Sequence, residues 1–283
     1  MSNPIAVSRS AGLSGRALAT LVALVAALTA AVVIAPPMLA ANGSDRDLAN
    51  RRHLMDSLHA AFVTYWRSGD RDLPPDLNRV VDYWFRFHVA KAAIAAILLV
   101  VLVALGVLLW TAFVRAGGLG LGRRAVLASA GVLVTGFTLL SFAVVLANIQ
   151  GAAAPFASLL PMVTERPTDR ALTGTLDQIR QLLTAGDRST PALQAMVGDF
   201  TRYHAAFVVI AAIAAVAFIS LSVLCWTRFA KAEPADRRSR RVLRWFGVLS
   251  VLLSLTAILS VVANSSVAAD SPRALLGLFE GGW

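Results

Sequence analysis

The chain has 283 residues, 57% of them hydrophobic and only 15% charged. Soluble chains carry about 25% charged residues, so the composition excludes an ordinary soluble protein and points to a membrane protein. A lone cysteine, Cys225, excludes a disulfide scaffold, and a net charge of +10 raises nucleic acid or an anionic surface as partners until the charges are located.

Crossing a hydrocarbon core about 30 Å thick takes roughly 20 apolar residues at helical rise. The first such run is 17–35. Its alternative is a signal peptide, with Arg9 and Arg16 as n-region and cleavage near Ala40 or Ala41, but the run is long for an h-region. Met38 or Leu39 also stands where cleavage wants a small residue, so a retained span is expected. The segment 47–66 then places Leu48, Leu54, Leu58, Ala61 and Phe62 near one helical face, with Asp45 or Asp47 as the cap. Gly69-Asp70-Arg71 breaks it, and Pro75 suits the first turn of a new helix. No breaker separates Pro75 from His88, so that helix should continue into the second run, 89–114, with Lys91 one turn inside.

The third run is 125–149. A second outer segment follows, with helix 169–183 carrying Leu172, Leu176, Ile179 and Leu183 on one face. Gly186-Asp187-Arg188 breaks it, Thr190 is the expected N-cap and Pro191 the first turn of the helix that enters the fourth run, 205–226. The fifth run is 242–263.

Charge is sorted by connection. Arg9 and Arg16 precede the first run. Arg115, Arg123 and Arg124 lie between the second and third, and an excess of +5, including Arg237, Arg238, Arg240 and Arg241, lies between the fourth and fifth. The two long connections balance to zero. Lys/Arg excess in short loops marks the cytoplasmic side, which predicts the N-terminus inside and the C-terminus outside. It also accounts for the basic residues without nucleic acid, leaving them as contacts for anionic lipid headgroups.

A shift of 116 residues aligns 81–116 with 197–232 without a gap and with 16 of 36 positions identical. The identities include Arg86/Arg202, His88/His204 and Trp110/Trp226. The same shift aligns 124–148 with 240–264, and the end of the first run resembles that of the third. The organisation expected is one unit over 1–116, a second over 117–232 and a third begun over 233–283. Both full units run the same way, so this is a parallel repeat. The fold expected is all-α: a polytopic membrane protein with five transmembrane helices and two extracytoplasmic helical hairpins.

His88 and His204 form the sharpest pair of candidate site residues. Each follows an arginine by two residues at the outer boundary of a span, so they are candidate haem ligands, with Arg86 and Arg202 for the propionates. The plainer alternative is an interfacial aromatic belt with Tyr83, Trp84, Phe85, Phe87, Phe200 and Tyr203. His53, Asp56 and His59 share a broad helix face but have no counterpart in the second unit, and read as solvated. No Asp or Glu lies in any run, and no P-loop, dinucleotide fingerprint, Cys-x-x-Cys, His-Glu-x-x-His or nucleophile elbow occurs. The aromatic-rich, His-bearing approach to the second and fourth runs is similar, over a handful of residues, to small anthrone-oxygenase-type membrane proteins.

No catalytic or metal-ligating set is expected. The function expected is a non-enzymatic structural or partner-binding component of a bacterial cytoplasmic membrane, its partners the bilayer and another membrane or extracytoplasmic protein. The ratio of 24 Arg to 2 Lys suits a GC-rich bacterium. The alternatives are a membrane redox or oxygenase subunit holding haem or a metal through His88 and His204, and a permease for an apolar small molecule or lipid.

Overall fold

A computed structural model describes residues 15–116, 120–165, 169–187 and 189–281. Arg9, Arg166 and Arg188 lie outside the described residues. In chain order the elements are α1 (Gly15–Ala40), a 3₁₀ helix (Gly43–Ala49), α2 (Arg51–Ser68), α3 (Pro75–Arg115) and α4 (Leu121–Ala153). There follow α5 (Pro155–Thr164), α6 (Arg170–Ala185), α7 (Pro191–Lys231), α8 (Arg237–Ala269) and α9 (Ser271–Phe279). Among the described residues the regular structure is all helical, and α1, α3, α4, α7 and α8 are long and apolar enough to cross a membrane.

Both α3 and α7 have 41 residues. At 1.5 Å per residue each is about 60 Å long, twice the thickness of a hydrocarbon core, and the N-terminal part of each projects among the short helices at one end of the bundle. The projecting parts carry the contiguous hydrophobic core. Phe62, Tyr65, Leu77, Leu159, Leu172 and Phe279 are wholly buried there, drawn from α2, α3, α5, α6 and α9. We call this the cap. Polar groups inside it are matched: Tyr65 Oη donates to the Ala192 carbonyl at 3.0 Å, Trp66 Nε1 to Gln178 Oε1 at 3.0 Å and Trp84 Nε1 to Ser158 Oγ at 2.9 Å.

The long helices beyond the cap are built differently. Large side chains point away from the protein, Val33 being 72% exposed, Val100 68% and Leu259 69%. Where the helices meet, the buried residues are largely small: Ala95, Ser141, Ala211, Ala214, Ser250 and Ser254. Helices that meet through such small residues approach closely and make local polar contacts. Ser141 Oγ, for instance, donates to the Ala95 carbonyl at 2.9 Å. Trp110 lies on Gly131 and Trp226 on Gly247, where an added Cβ would sit 2.9 and 3.0 Å from the indole. α3 packs extensively along α4, α7 along α8 and α1 along α3, whereas α4 and α7 meet more sparingly.

The element starts are regularly spaced. α3 and α7, α4 and α8, and α5 and α9 each begin 116 residues apart, and the first two pairs match in length. α2 and α6 each end on a left-handed glycine, Gly69 at φ 68° and Gly186 at φ 70°, which any other residue would strain.

Local details differ from expectation. The first outer helix begins at Arg51, because Asn50 accepts from the Arg52 N–H at its side chain, and residues 43–49 form a separate 3₁₀ turn. Asp45 and Asp47 are drawn off to arginines instead of capping it. Asp169 does cap α6, accepting from the Ala171 N–H at 3.0 Å, while the side chain of Thr190 makes no capping bond. The short helix α5 adds to the two helices expected in the second outer segment, and α9 lies in the tail that follows α8.

Candidate functional site

His88 sits where α3 passes from the cap toward its apolar half. Its Nδ1 is 2.9 Å from Oδ1 of Asn148, near the end of α4. The Asn148 amide nitrogen donates to the Val144 carbonyl at 2.7 Å, which leaves Oδ1 to accept, so the network assigns the ring proton to Nδ1. Trp84 and Phe87 stand edge-on to the imidazole at centroid distances of 5.0 and 5.7 Å. Its other side lies on Gly151, where a Cβ would come within 2.5 Å of Cε1 and Nε2. Nε2 is buried with no hydrogen-bond partner among the described residues.

His204 repeats half of this arrangement. Its Nδ1 is 2.8 Å from Asn264 Oδ1, and the Asn264 amide nitrogen donates to the Ser260 carbonyl at 2.9 Å. Phe200 and Tyr203 stand edge-on to it. Val267 occupies the position corresponding to Gly151 at the 116-residue offset, so the second imidazole has no glycine seat.

The two histidines therefore each bond to an asparagine on the helix that follows in sequence. The end of α4 contacts both surroundings: Gly151 meets the His88 ring, and the Gln150 amide donates to the Tyr203 carbonyl at 3.3 Å. Asn148 and Asn264 were not singled out in the sequence. Their signal was there, since the same shift that pairs the histidines also pairs the asparagines, each 60 residues downstream of its histidine.

Both candidate propionate arginines are engaged. Arg86 donates to Asp45 through Nη2 and to the Ala40 carbonyl through Nε at 3.0 Å. Asp45 also accepts from Arg79 Nε at 2.8 Å. Burial pushes the Asp45 carboxyl up, but the Arg79 hydrogen bond and the Arg86 charge outweigh it and hold it below the ordinary carboxylate range. Arg202 pairs with Asp199 at 3.1 Å, and Asp199 caps the start of α5 by accepting from the Ala157 N–H at 2.8 Å. A polar groove of about 490 Å³ opens beside this pair, lined by Arg71, Asp72, Gln194, Asp199 and Arg202 among others.

His53 is exposed and His59 Nε2 lies 3.2 Å from the Met162 carbonyl. No group of three or more His, Cys, Asp or Glu residues suited to a metal occurs among the described residues. Lys91 places its ammonium over the Phe87 ring, 5.4 Å from the centroid.

At the end opposite the cap, Arg115, Arg123, Arg237 and Arg241 are exposed and Arg124, Arg238 and Arg240 partly so. Arg240 donates to the Phe229 and Ala232 carbonyls at 3.2 and 2.9 Å and covers the Phe229 ring at 4.2 Å, tying α8 to the end of α7. Arg241, one residue on, borders an apolar cavity between the two helix pairs. No protein-family model, curated protein or solved structure matches this chain.

Proposed function

We propose that the chain is a five-span protein of a bacterial cytoplasmic membrane, N-terminus inside, built from a parallel repeat of about 116 residues. We propose further that it acts without catalysis, by presenting its cap to a partner protein outside the membrane. The observation that carries this reading is the cap's own hydrophobic core. Lipid-facing helices need no such core, and a protein whose work lay wholly within the bilayer would have no use for one; a folded body held clear of the membrane by two rigid 41-residue helices serves recognition. The groove beside Asp199 and Arg202 offers charge of both signs for docking.

A photocrosslinking amino acid placed at Gln194, which lines that groove, tests the proposal in intact membranes. The expected result is one adduct of defined mass that is lost with Arg202→Glu. Absence of any protein adduct from positions across the cap, or a specific turnover by the purified chain, would overturn it.

The rival reading, haem or a metal on the histidines, draws support from the unpartnered Nε2 of His88, since a ligating imidazole typically donates its other N–H to an oxygen. The engagement of Arg86 and Arg202 with carboxylates favours the first proposal. An absorption spectrum after expression with added haem separates the two: a Soret band abolished by His88→Gln would establish the rival.

A further inference from the structure

We propose that the cleft between the α3–α4 pair and the α7–α8 pair is a binding site for one anionic phospholipid, its acyl chain among the four helices and its phosphate on Arg241. The cleft comprises two adjoining cavities of about 450 and 560 Å³ that share Trp110, Thr135, Phe246 and Leu249. Both fall within the roughly 300–1,000 Å³ of built small-molecule sites. The larger is closed toward the cap where Phe142 meets Phe218 edge-on, ring centroids 5.5 Å apart. On α3 its lining runs from Leu99 to Thr111. Twelve residue steps of helix span about 18 Å, close to the ~15 Å depth of a single leaflet, so the cleft matches one extended chain and stops short of a channel.

The repeat sharpens the point. The end of the first run resembles the end of α4 in sequence, and α1 packs along α3 extensively, whereas α4 and α7, in the corresponding relation, meet more sparingly. Trp110 helps to hold the gap open: its ring rests on Gly131, its Nε1 donates to Thr135 Oγ1 at 3.2 Å and Phe246 abuts it edge-on at 5.4 Å. No lining residue of either cavity is acidic. At the mouth, Arg241 is exposed and makes no ion pair or hydrogen bond among the described residues, unlike its neighbour Arg240. A free guanidinium over an apolar slot, with Trp245 beside it, is complementary to a phosphate joined to an acyl chain.

The site rests on the membrane-spanning reading, and the experiment separates the two. The full chain is inserted in nanodiscs of phosphatidylcholine and phosphatidylglycerol, extracted, and its retained lipids counted by native mass spectrometry. Wild type should keep one phosphatidylglycerol in preference to phosphatidylcholine. Arg241→Gln should lower that preference about fivefold, the equivalent of about 1 kcal/mol for one basic residue at an anionic surface. Arg237→Gln, exposed but outside the lining, should leave it unchanged. Val103→Trp, at a lining position 48% exposed, should fill the cleft and abolish retention of either lipid. Equal retention of both lipids by wild type, an equal loss in the Arg237 and Arg241 variants, or full retention by Val103→Trp would each overturn the site. A chain extracted from membranes by alkaline carbonate would instead refute the membrane-spanning reading itself.

Discussion

Gly151→Ala tests how the outer end of α4 is held, and its effect follows from one contact. The added methyl would stand 2.5 Å from two atoms of the His88 ring, whereas carbon atoms in contact settle near 3.5–4.0 Å. The imidazole, beside which Trp84 and Phe87 stack on each other, must retreat by about 1 Å, and in doing so it strains the 2.9 Å bond to Asn148. Overpacking of this kind costs ~1–3 kcal/mol and a lost internal hydrogen bond ~1 kcal/mol. Against this stands the ~1 kcal/mol by which alanine outranks glycine inside a helix. The net expectation is a loss of about 1–3 kcal/mol, read as a fall of several degrees in the thermal midpoint of the detergent-solubilised protein. Gly136→Ala, on the same helix with no heavy atom within 4 Å of the added Cβ, isolates the helix term and should be neutral or stabilising. In the Gly151→Ala background, Asn148→Ala should cost less than it does in the wild type, since its bond to His88 is already weakened. A Gly151→Ala midpoint at or above wild type, or the same shift from both glycine variants, would refute the packing argument.

Other consequences concern the cap and the proposed topology. Asp45→Asn removes the charge shared by Arg79 and Arg86 and should cost about 1–2 kcal/mol. That is below the ~3–5 of a fully buried pair, because the arginine side chains are 35% and 33% exposed. Because the folded Asp45 carboxyl lies below its ordinary value of 3.8, its stabilisation is full above that pH and is lost as the pH falls through the folded value. Acid titration followed by circular dichroism should accordingly show a shallower decline for Asp45→Asn. Tyr65→Phe removes the buried hydrogen bond to the Ala192 carbonyl and should lower stability by ~1 kcal/mol in denaturant titration. Burial first, and the Asp199 charge second, push the Tyr65 phenol up to about 12, so its ultraviolet ionisation signal should be missing at pH 11 and regained on unfolding. The only native cysteine, Cys225, is buried, so introduced cysteines report sidedness cleanly. In intact cells a membrane-impermeant maleimide should label Thr184→Cys in the cap and spare Ser239→Cys at the start of α8; the reverse pattern would invert the proposed topology.

The sequence showed how many long apolar helices there are and where they continue, because a span is written in consecutive residues and needs no knowledge of its neighbours. Pro75 and Pro191 start helices that no later residue breaks, and both run for 41 residues. The cap was legible only in part. Leucines at three- and four-residue spacing located α6, but α5 and α9 are short apolar helices that continue from spans of like composition, so periodicity alone does not mark them. The sequence also paired His88 with His204 by repetition; in space each is turned toward the asparagine of its own following helix.

By itself, then, the sequence determined the all-helical class, the 116-residue periodicity and the placing of arginines at one end, all of which are local or composition-level properties. Only the tertiary structure decided which polar groups meet: Asp45 with two arginines, each histidine with an asparagine, and Arg241 with a cleft instead of a carbonyl. The cleft itself is absent from any one helix. It exists because two closely packed helix pairs touch at the Phe142–Phe218 and Trp110–Phe246 contacts and meet only sparingly otherwise, and that spacing is set by side chains 76 and 136 residues apart in the chain.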